Sequence, residues 1–384
     1  MLIYLAPNRW DGPRQRTQHV AAGLARTRPV VFVEPAAYTL PGVLRRRWAG
    51  EPTGPLLRRV RRVSDRLTVY SPPPSVPGSL HSRALNSLVH ALAWRDLRRA
   101  VPGLSQGSVD VVVSWPPAFE LARRLRPRRL IYDCLDLFPA FAEGPRHRLL
   151  ASLEADLVRA ASTVVVTSVE LERRWARDHP RVVRIPNGVD LDLFGRGLDA
   201  NAVHPDLAEL PHPRLGYIGT VGRWVDVPLL EHVATHRPHC SVVVVGPVER
   251  GVARPAGPPN LRFLGERPYA SLPHYLAGFD VLLIPFRLTG LTHAVNPIKL
   301  YEYCTTGKPI VATPIAEVVA ERGLCHIGEG NGPFLEAVDA ALREHARPDP
   351  ARAAARRALA LASGWERRVA AFASLLDGPA EDGR

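Results

Sequence analysis

The chain has 384 residues, of which 46% are hydrophobic and 23% charged, which is ordinary composition for a globular protein and enough length for two α/β domains. No apolar run approaches the roughly 20 residues of a membrane-spanning helix. MLIYLAP enters a strand without the basic start of a signal peptide, so we expect a cytoplasmic protein. The four cysteines are widely spaced and form no Cys-x-x-Cys pair, which argues against a zinc site or a disulfide framework.

The formal net charge of +13 would suit nucleic acid, an anionic membrane or a polyanionic substrate. Lys299 and Lys308 are the only lysines among the 50 basic residues, and all the others are arginine. A bias this broad weakens the functional meaning of arginine clusters. It also draws attention to the two lysines, because a compact ammonium and a planar guanidinium are not equivalent at an anion site.

Short β-branched runs alternate with longer helical patterns along the whole chain, which predicts parallel sheets built from βαβ units. The predicted strands of the first half are 2–6, 30–35, 67–72, 109–114, 129–134 and 163–168, and those of the second half are 214–219, 241–246, 261–265, 281–286 and 309–314. Between the two halves, residues 182–194 predict a short strand, an Asn-Gly turn and a polar segment. We therefore predict two Rossmann-like, doubly wound domains, residues 1–195 and 196–384. The last helix, at about 365–378, is expected to cross back onto the first domain.

Ligands of doubly wound sheets bind outside the carboxyl ends of strands. After the first strand come Asp11 and Gly12, followed by Arg16 and His19. Gly12 would allow a close backbone approach, and the three polar side chains are candidates for hydrogen bonds to a substrate or to a phosphate group. A plain helix with a solvated polar face is the alternative, with His19 packed between helix and sheet.

Two aspartates, Asp133 and Asp136, lie at the end of the strand 129–134. Either could orient or deprotonate a substrate hydroxyl. Helix capping after a strand is an equally good interpretation.

In the second half, Gly219 to Arg223 follows a strand and precedes a helical pattern, as in a phosphate-binding loop with Gly219, Gly222 and Arg223 at the anion. A simple βα turn with an exposed arginine is the competing interpretation.

A stronger signal is NPIKLYEYCTTGK, residues 296–308. Asn296 is a good N-cap and Pro297 a good first helical residue, so we expect a helix that starts there with free amides. Lys299 in the first turn opposes the helix dipole unless an anion binds at that end. Glu302 lies on the same helix face and could pair with Lys299 or accept hydrogen bonds from a ribose diol. A capped surface helix with an internal ion pair is the alternative.

The order of the motifs GxxGRWVD, VVVVGP, NLRFLGERPYASLPHYLAGFDVLLIPF and NPIKLYEYCTTGKPIVAT resembles the donor half of the retaining GT-B glycosyltransferases of family 4. WDGPRQRTQH, YDCLD, TSxxL and IPNGVDxxxF extend this resemblance over the first half. It covers about residues 2 to 370.

The resemblance implies transfer of a sugar from a nucleoside diphosphate sugar, bound in an interdomain cleft, to a hydroxyl acceptor. Gly219, Gly222 and Arg223 would then meet the diphosphate together with the amides at Ile298 and Lys299. Glu302 would bind the ribose, and the backbone from Arg267 to Tyr269 would frame the base. The family implies no cofactor and no metal, and we find no Asp-x-Asp metal motif.

Three positions depart from the family pattern. Ala294 stands where the first of two glutamates is usual, so the sugar contact would pass to Thr292, His293 or Asn296. Pro228 and Leu229 replace a lysine, for which Lys299 could compensate, and Leu135 replaces a histidine. A nucleotide-sugar 2-epimerase on the same architecture and a catalytically inactive binding partner therefore remain alternatives.

A basic segment, residues 44–62, surrounds Trp48, Leu56 and Leu57 with arginines and could lie peripherally on the inner face of an anionic membrane. A solvated loop is the alternative. Nucleic-acid binding is less attractive, because no recognised motif accompanies the charge.

Overall fold

The computed structural model describes residues 1–36, 39–48, 60–104, 109–195, 203–253 and 257–378. The chain forms two compact units. Unit 1 is Met1–Pro186 together with the residues from Arg368 onward, and unit 2 is Asn187–Arg367.

Fourteen strands form the two sheets of the described residues. They are β1 Leu2–Leu5, β2 Val30–Val33, β3 Val60–Ser64, β4 Leu67–Tyr70, β5 Asp110–Val113, β6 Arg129–Cys134, β7 Thr163–Val166, β8 Val182–Arg184, β9 Arg214–Ile218, β10 Ser241–Val245, β11 Leu261–Gly265, β12 Val281–Ile284, β13 Ile310–Ala312 and β14 Cys325–Ile327.

In the part of the chain that the structure describes, fifteen α-helices connect and cover these strands. They are α1 Arg16–Leu24, α2 Leu40–Trp48, α3 Arg83–Ala100, α4 Phe119–Leu125, α5 Gly144–Ala160, α6 Val169–Trp175, α7 Leu191–Phe194, α8 Val227–His236, α9 Leu272–Gly278, α10 Gly290–His293, α11 Ile298–Cys304, α12 Ala316–Ala320, α13 Asn331–Ala346, α14 Pro350–Ala362 and α15 Trp365–Asp377. Among the described helices, none is both long enough and apolar enough to cross a membrane.

Unit 1 is an eight-stranded sheet in the order β3-β4-β2-β1-β5-β6-β7-β8. Its strands are parallel except for β3, which runs antiparallel to β4 at the edge. Strands such as β1 and β2 are buried at every residue, because helices cover both faces of a parallel sheet. The arginine-rich strand β3 is mostly exposed and has no apolar run, so the sequence pattern did not predict this strand.

Unit 2 is a fully parallel sheet of six strands in the order β11-β10-β9-β12-β13-β14. This is the doubly wound order, and the order in which strands are added reverses between β9 and β12. The corresponding reversal in unit 1 lies between β1 and β5. A ligand crevice is therefore expected beyond the carboxyl ends of β9 and β12, and of β1 and β5. The two doubly wound sheets confirm the predicted fold class.

The last helix returns to unit 1, as predicted. A Cβ on Gly23 of α1 would lie 2.5 Å from the Val369 side chain, so the absence of a side chain at Gly23 lets α15 pack closely. The Arg129 guanidinium donates to the Leu376 carbonyl, and Arg28 pairs with Asp377 at 2.7 Å.

Lys308 has a structural position at the other edge of unit 2. Its ammonium donates to the carbonyls of Leu276, Ala277 and Phe279, which are the last acceptors of α9. Burial lowers the pKa of Lys308 to about 8. The lysine therefore stabilises the end of α9.

Candidate functional site

Three glycines end three neighbouring strands at the predicted crevice of unit 2. Gly219 follows β9, Gly246 follows β10 and Gly265 ends β11, with φ angles of 139°, 146° and 77°, which are left-handed values that favour glycine. A Cβ on Gly246 would lie 2.2 Å from the Gly219 carbonyl oxygen. The strand ends therefore pack closely, and no side chain projects from them at these three positions. Gly246 and Gly265 were not singled out in the sequence, although a glycine after each strand was the available signal.

Lys299 projects from α11 towards this glycine edge. A Cβ on Gly219 would lie 3.1 Å from the lysine Nζ. The ammonium lies over the rings of Tyr217 and Phe286, at 5.1 and 4.9 Å from their centroids. Burial lowers the pKa of Lys299 to about 8, against the opposing effect of Glu302. The site therefore holds a desolvated cation against aromatic faces.

Glu302 is buried one turn further along α11. Burial raises the pKa of its carboxyl to about 7, and Asp190 adds to the increase. Lys299 and a hydrogen bond from the Tyr269 hydroxyl oppose it. Tyr269 in turn packs edge-on against Phe194, with the ring centroids 5.6 Å apart. Glu302 therefore interacts electrostatically with Lys299 and Asp190, and its carboxyl accepts a hydrogen bond from Tyr269.

The predicted capping role of Asn296 is wrong. Pro297 occupies the N-cap position of α11 and makes no side-chain cap. The Asn296 side chain instead accepts from the Asn187 amide at 2.9 Å and donates to the Tyr301 hydroxyl at 2.9 Å and to Glu317 at 2.7 Å. Both hydrogens of its side-chain amide are used by these partners and the residue is buried, which argues against a contact with a sugar.

The remaining candidates for the sugar contact differ in accessibility. Thr292 is buried and its hydroxyl belongs to a capping box with Thr289. Ala294 is buried as well. His293 is exposed at the end of α10, so it is the accessible member of the predicted set.

Gly222 and Arg223 lie in the loop after β9. A Cβ on Gly222 would lie 2.3 Å from the Trp224 ring, which explains glycine there, and the adjacent Arg223 is exposed. The Arg267 guanidinium is held by Asp206 at 2.7 Å and by Tyr275 at 2.9 Å. Because the side chain of Arg267 is engaged by these partners, only its backbone could frame a base as predicted.

In unit 1, Asp133 and Arg16 are buried against each other rather than exposed to a substrate. Asp133 is 0% exposed and accepts from Arg16 at 2.9 Å, Tyr4 at 2.7 Å and Ser114 at 3.3 Å. Arg16 also donates to the Ile185 carbonyl at 2.8 Å. This pair joins α1 to β6 and to the chain at Ile185. We therefore correct the predicted roles of Arg16 and Asp133 from substrate contacts to structural contacts.

Asp136 differs from Asp133 because it is partly exposed beyond the end of β6. Desolvation raises the pKa of its carboxyl to about 7, the range in which a carboxyl can exchange protons near neutrality. His19 is buried in α1. Burial, together with a smaller effect of the positive charge of Arg14, lowers its pKa to about 3. His19 is therefore neutral at neutral pH and packs in the core, in agreement with the alternative interpretation of this residue.

The loop after β1 carries the last two predicted residues of unit 1. Asp11 is exposed and paired with Arg61 of β3 at 2.7 Å. A Cβ on Gly12 would lie 3.2 Å from the Arg9 carbonyl oxygen. Glu34, which follows β2 and was not predicted, anchors this loop by accepting from the Trp10 amide at 2.7 Å.

Residues 212–344, which contain β9 to β14, match the family model described as glycosyl transferases group 1. The match covers about a third of the chain, so this domain is similar to the group 1 glycosyltransferases. A protein of Bacillus subtilis (strain 168), provisionally named teichuronic acid biosynthesis glycosyltransferase TuaH, is 26% identical over 239 residues. The match covers 56% of this chain and 59% of that protein, so the chain spans about three fifths of the length of its curated relative.

Solved structures of glycosyltransferases share the GT-B fold of the whole chain. Sucrose-phosphate synthase from Thermosynechococcus elongatus is 13% identical with a TM-score of 0.74, over 98% of both chains. Anabaena Alr3699/HepE in complex with UDP and glucose is 16% identical with a TM-score of 0.65, over 98% of this chain and 99% of that one. Trehalose-6-phosphate synthase from E. coli, bound with UDP-2-fluoro glucose, is 14% identical with a TM-score of 0.68, over 98% of both chains. At these identities the likeness establishes the fold.

Proposed function

We propose that this protein is a group 1 glycosyltransferase that moves a sugar from a nucleoside diphosphate sugar to a hydroxyl acceptor with retention of anomeric configuration. The observation that carries the proposal is the ammonium of Lys299 beside Gly219, at the point where the strand order of unit 2 reverses. A desolvated cation next to a floor of glycine backbone is suited to a diphosphate. The neighbours described with UDP, glucose or UDP-2-fluoro glucose support this donor class.

In this reaction the leaving group is a nucleoside diphosphate, and charge develops on it as the glycosidic bond breaks. Lys299 and Arg223, with the backbone at Gly219 and Ile298, would stabilise that charge without a cofactor or a metal. Glu302 would accept hydrogen bonds from the ribose hydroxyls once its carboxyl is ionised. His293 would contact the sugar in place of the glutamate that Ala294 replaces.

In unit 1, Asp136 would be the group that accepts the proton of the acceptor hydroxyl. Its pKa of about 7 matches that role, because a base must be largely ionised at the working pH and still basic enough to take a proton. Asp11 and Gly12 would frame the acceptor from the loop after β1.

A titration of nucleoside diphosphates tests the donor site directly. UDP, GDP and ADP would each be titrated into the protein by calorimetry, with Arg223→Ala and Glu302→Ala as variants and Arg322→Ala as the control. Arg322 is an equally exposed arginine of unit 2 beyond α12. We expect one diphosphate to bind, with affinity about tenfold weaker in each site variant and unchanged in the control. Absence of binding to all three, or equal binding by all four proteins, would refute the donor site.

The products then test the reaction. Incubation of the preferred nucleotide sugar with hydroxyl acceptors should release the nucleoside diphosphate only when an acceptor is present, and the anomeric proton of the product should show the configuration of the donor by NMR. Acceptor-independent formation of a new hexose would indicate the epimerase, and an inverted product would refute retention.

A peripheral membrane contact is part of the same proposal, through the exposed stripe of α2. Leu40, Leu44 and Trp48 recur every four residues and are 54%, 54% and 92% exposed. The Leu40 amide donates to the Ser75 carbonyl at 2.9 Å, which anchors α2 beyond the carboxyl ends of β2 and β4. Apolar residues beside the basic Arg45 suit an anionic lipid surface.

Only part of the predicted basic segment enters this argument. Arg61 and Arg62 are paired with Asp11 and Asp65, which reduces the free positive charge of β3. Residues 49–59 lie outside the described residues.

Flotation with vesicles tests the contact. At low salt we expect binding to vesicles with anionic lipid and not to neutral ones. The double variant Leu44→Ser/Trp48→Ser should lose this binding, and Leu361→Ser, which removes another exposed leucine on α14, should retain it. Equal flotation of both variants, or no flotation of the unmodified protein, would refute the contact.

A further inference from the structure

Asn187, the first residue of unit 2, forms a two-way hydrogen-bonded pair with Asn296. The backbone amide of Asn187 donates to the side-chain oxygen Oδ1 of Asn296 at 2.9 Å, and the side-chain nitrogen Nδ2 of Asn187 donates to the backbone carbonyl of Asn296 at 2.6 Å. Both residues are buried. The pair therefore joins the segment 187–190 to the chain just before α11, although 109 positions separate the two residues in sequence.

Each side of this pair is itself held firmly. Asn296 Nδ2 donates to Tyr301 in α11 and to Glu317 in α12. On the other side, the Val189 amide donates to the Ser363 carbonyl at 2.9 Å, and the Trp365 amide donates to the Val189 carbonyl at 3.1 Å. The segment 187–190 is thus fixed between two parts of unit 2.

Gly188 shows how closely this segment fits. A Cβ at that position would lie 2.7 Å from the Ser363 carbonyl oxygen and 3.1 Å from the Trp365 ring. The segment then reaches Asp190, which caps α7 through the Leu193 amide at 3.1 Å and whose charge acts on Glu302. The same four residues therefore touch the start of α11 and influence the carboxylate at its centre.

We infer that the Asn187–Asn296 pair positions the diphosphate-binding part of α11, with Asn187 as a positioning residue. Asn296 immediately precedes Pro297, which has no amide hydrogen, so the pair is the last hydrogen-bonded anchor before the helix that carries Lys299 and Glu302. Loosening it would let the first turn of α11 shift relative to the glycine edge. This inference rests on the proposed donor site and assigns to the Asn-Gly-Val-Asp segment a function beyond a turn.

The variant Asn187→Ala removes one half of the pair. It deletes the donor to the Asn296 carbonyl but leaves the backbone bond to Asn296 Oδ1. Asp192→Ala, an exposed position of α7, serves as the matched control. We expect Asn187→Ala to weaken binding of UDP, or of whichever nucleoside diphosphate the unmodified protein prefers, by about tenfold. The control should bind like the unmodified protein.

A double-mutant cycle with Lys299→Gln separates positioning from a loss of folding. If Asn187 acts through the placement of Lys299, its removal should change affinity by less than about twofold once Lys299 is already gone. The pH profile of binding by Asn187→Ala should also move to higher pH, because a displaced Lys299 is better solvated. A merely structural role would lower the thermal midpoint and leave both readouts unchanged.

The outcomes distinguish the two proposals. If the unmodified protein binds no nucleoside diphosphate, the donor site and the positioning role both fall. If it binds, and Asn187→Ala matches it in affinity and in pH profile, or if the two substitutions are additive, the positioning role alone is refuted.

Discussion

Nucleoside diphosphate binding should weaken as the pH rises past 8, because the cation that carries it loses its proton there. Burial lowers the pKa of Lys299 to about 8, so the ammonium is charged below that pH and neutral above it. In the proposed donor site, the diphosphate would bind the charged form of this lysine. Affinity should therefore be highest below pH 8 and fall above it, whereas Arg223 remains charged throughout.

The size of the effect follows from the charged fraction of Lys299. With a pKa of about 8, about three quarters of the lysine is charged at pH 7.5 and about one tenth at pH 9, so Kd should rise about eightfold, or about 1.2 kcal/mol. Glu302, with a pKa of about 7, is largely ionised over this window. Its titration therefore contributes little to the slope.

Calorimetric titration of UDP, or of the preferred nucleoside diphosphate, at pH 7.5, 8.2 and 9 measures this slope. Lys299→Gln should bind more weakly and lose the slope, so any titration of the ligand itself is revealed by the variant. Lys299→Arg keeps its charge, and whatever affinity it retains should be independent of pH. A flat profile for the unmodified protein, or the same slope in Lys299→Gln, would refute the assignment of this lysine.

Three further predictions concern stability and the acceptor side. Lys308→Met leaves three carbonyls at the end of α9 without their donor and should lower the free energy of unfolding in urea by about 2 to 3 kcal/mol; an unchanged midpoint would contradict the capping role. Arg16→Ala leaves the charge of Asp133 buried and should cost about 3 to 5 kcal/mol in the same assay; full stability with lost activity would restore Arg16 to the substrate site. Asp136→Asn should lower kcat for glycosyl transfer and remove a loss of activity centred near pH 7 on the acid side; an unaltered pH profile would exclude this carboxyl as the base.

Much of the fold could be predicted because parallel strands buried on both faces are continuous apolar runs, which stand out in the sequence. All eleven strands proposed from such runs are present. The strand β3 was missed because its residues, VRRVS, are mostly exposed at a sheet edge, and β14 because three residues are too few to show a period.

The candidate site could be predicted only in part, because similar residues in a motif have different surroundings. Asp133 and Asp136 are three positions apart, yet the first is enclosed by Arg16, Tyr4 and Ser114 and the second is partly exposed. Asn296 has the residue type of an N-cap, but its side-chain amide is hydrogen-bonded to Asn187 and Glu317 instead of capping α11.

The sequence by itself determined the two doubly wound sheets, the place of α11 after β12, and the cation and carboxylate on one face of that helix, because period and local spacing encode all three. Only the tertiary structure decided that Lys299 lies against aromatic rings and Gly219, that Arg16 and Asp133 pair in the core, and that Asn187 holds Asn296. The physical reason is that burial and hydrogen-bond competition depend on contacts between residues far apart in the chain. Those contacts set the pKa of Lys299, and with it the chemistry of the site.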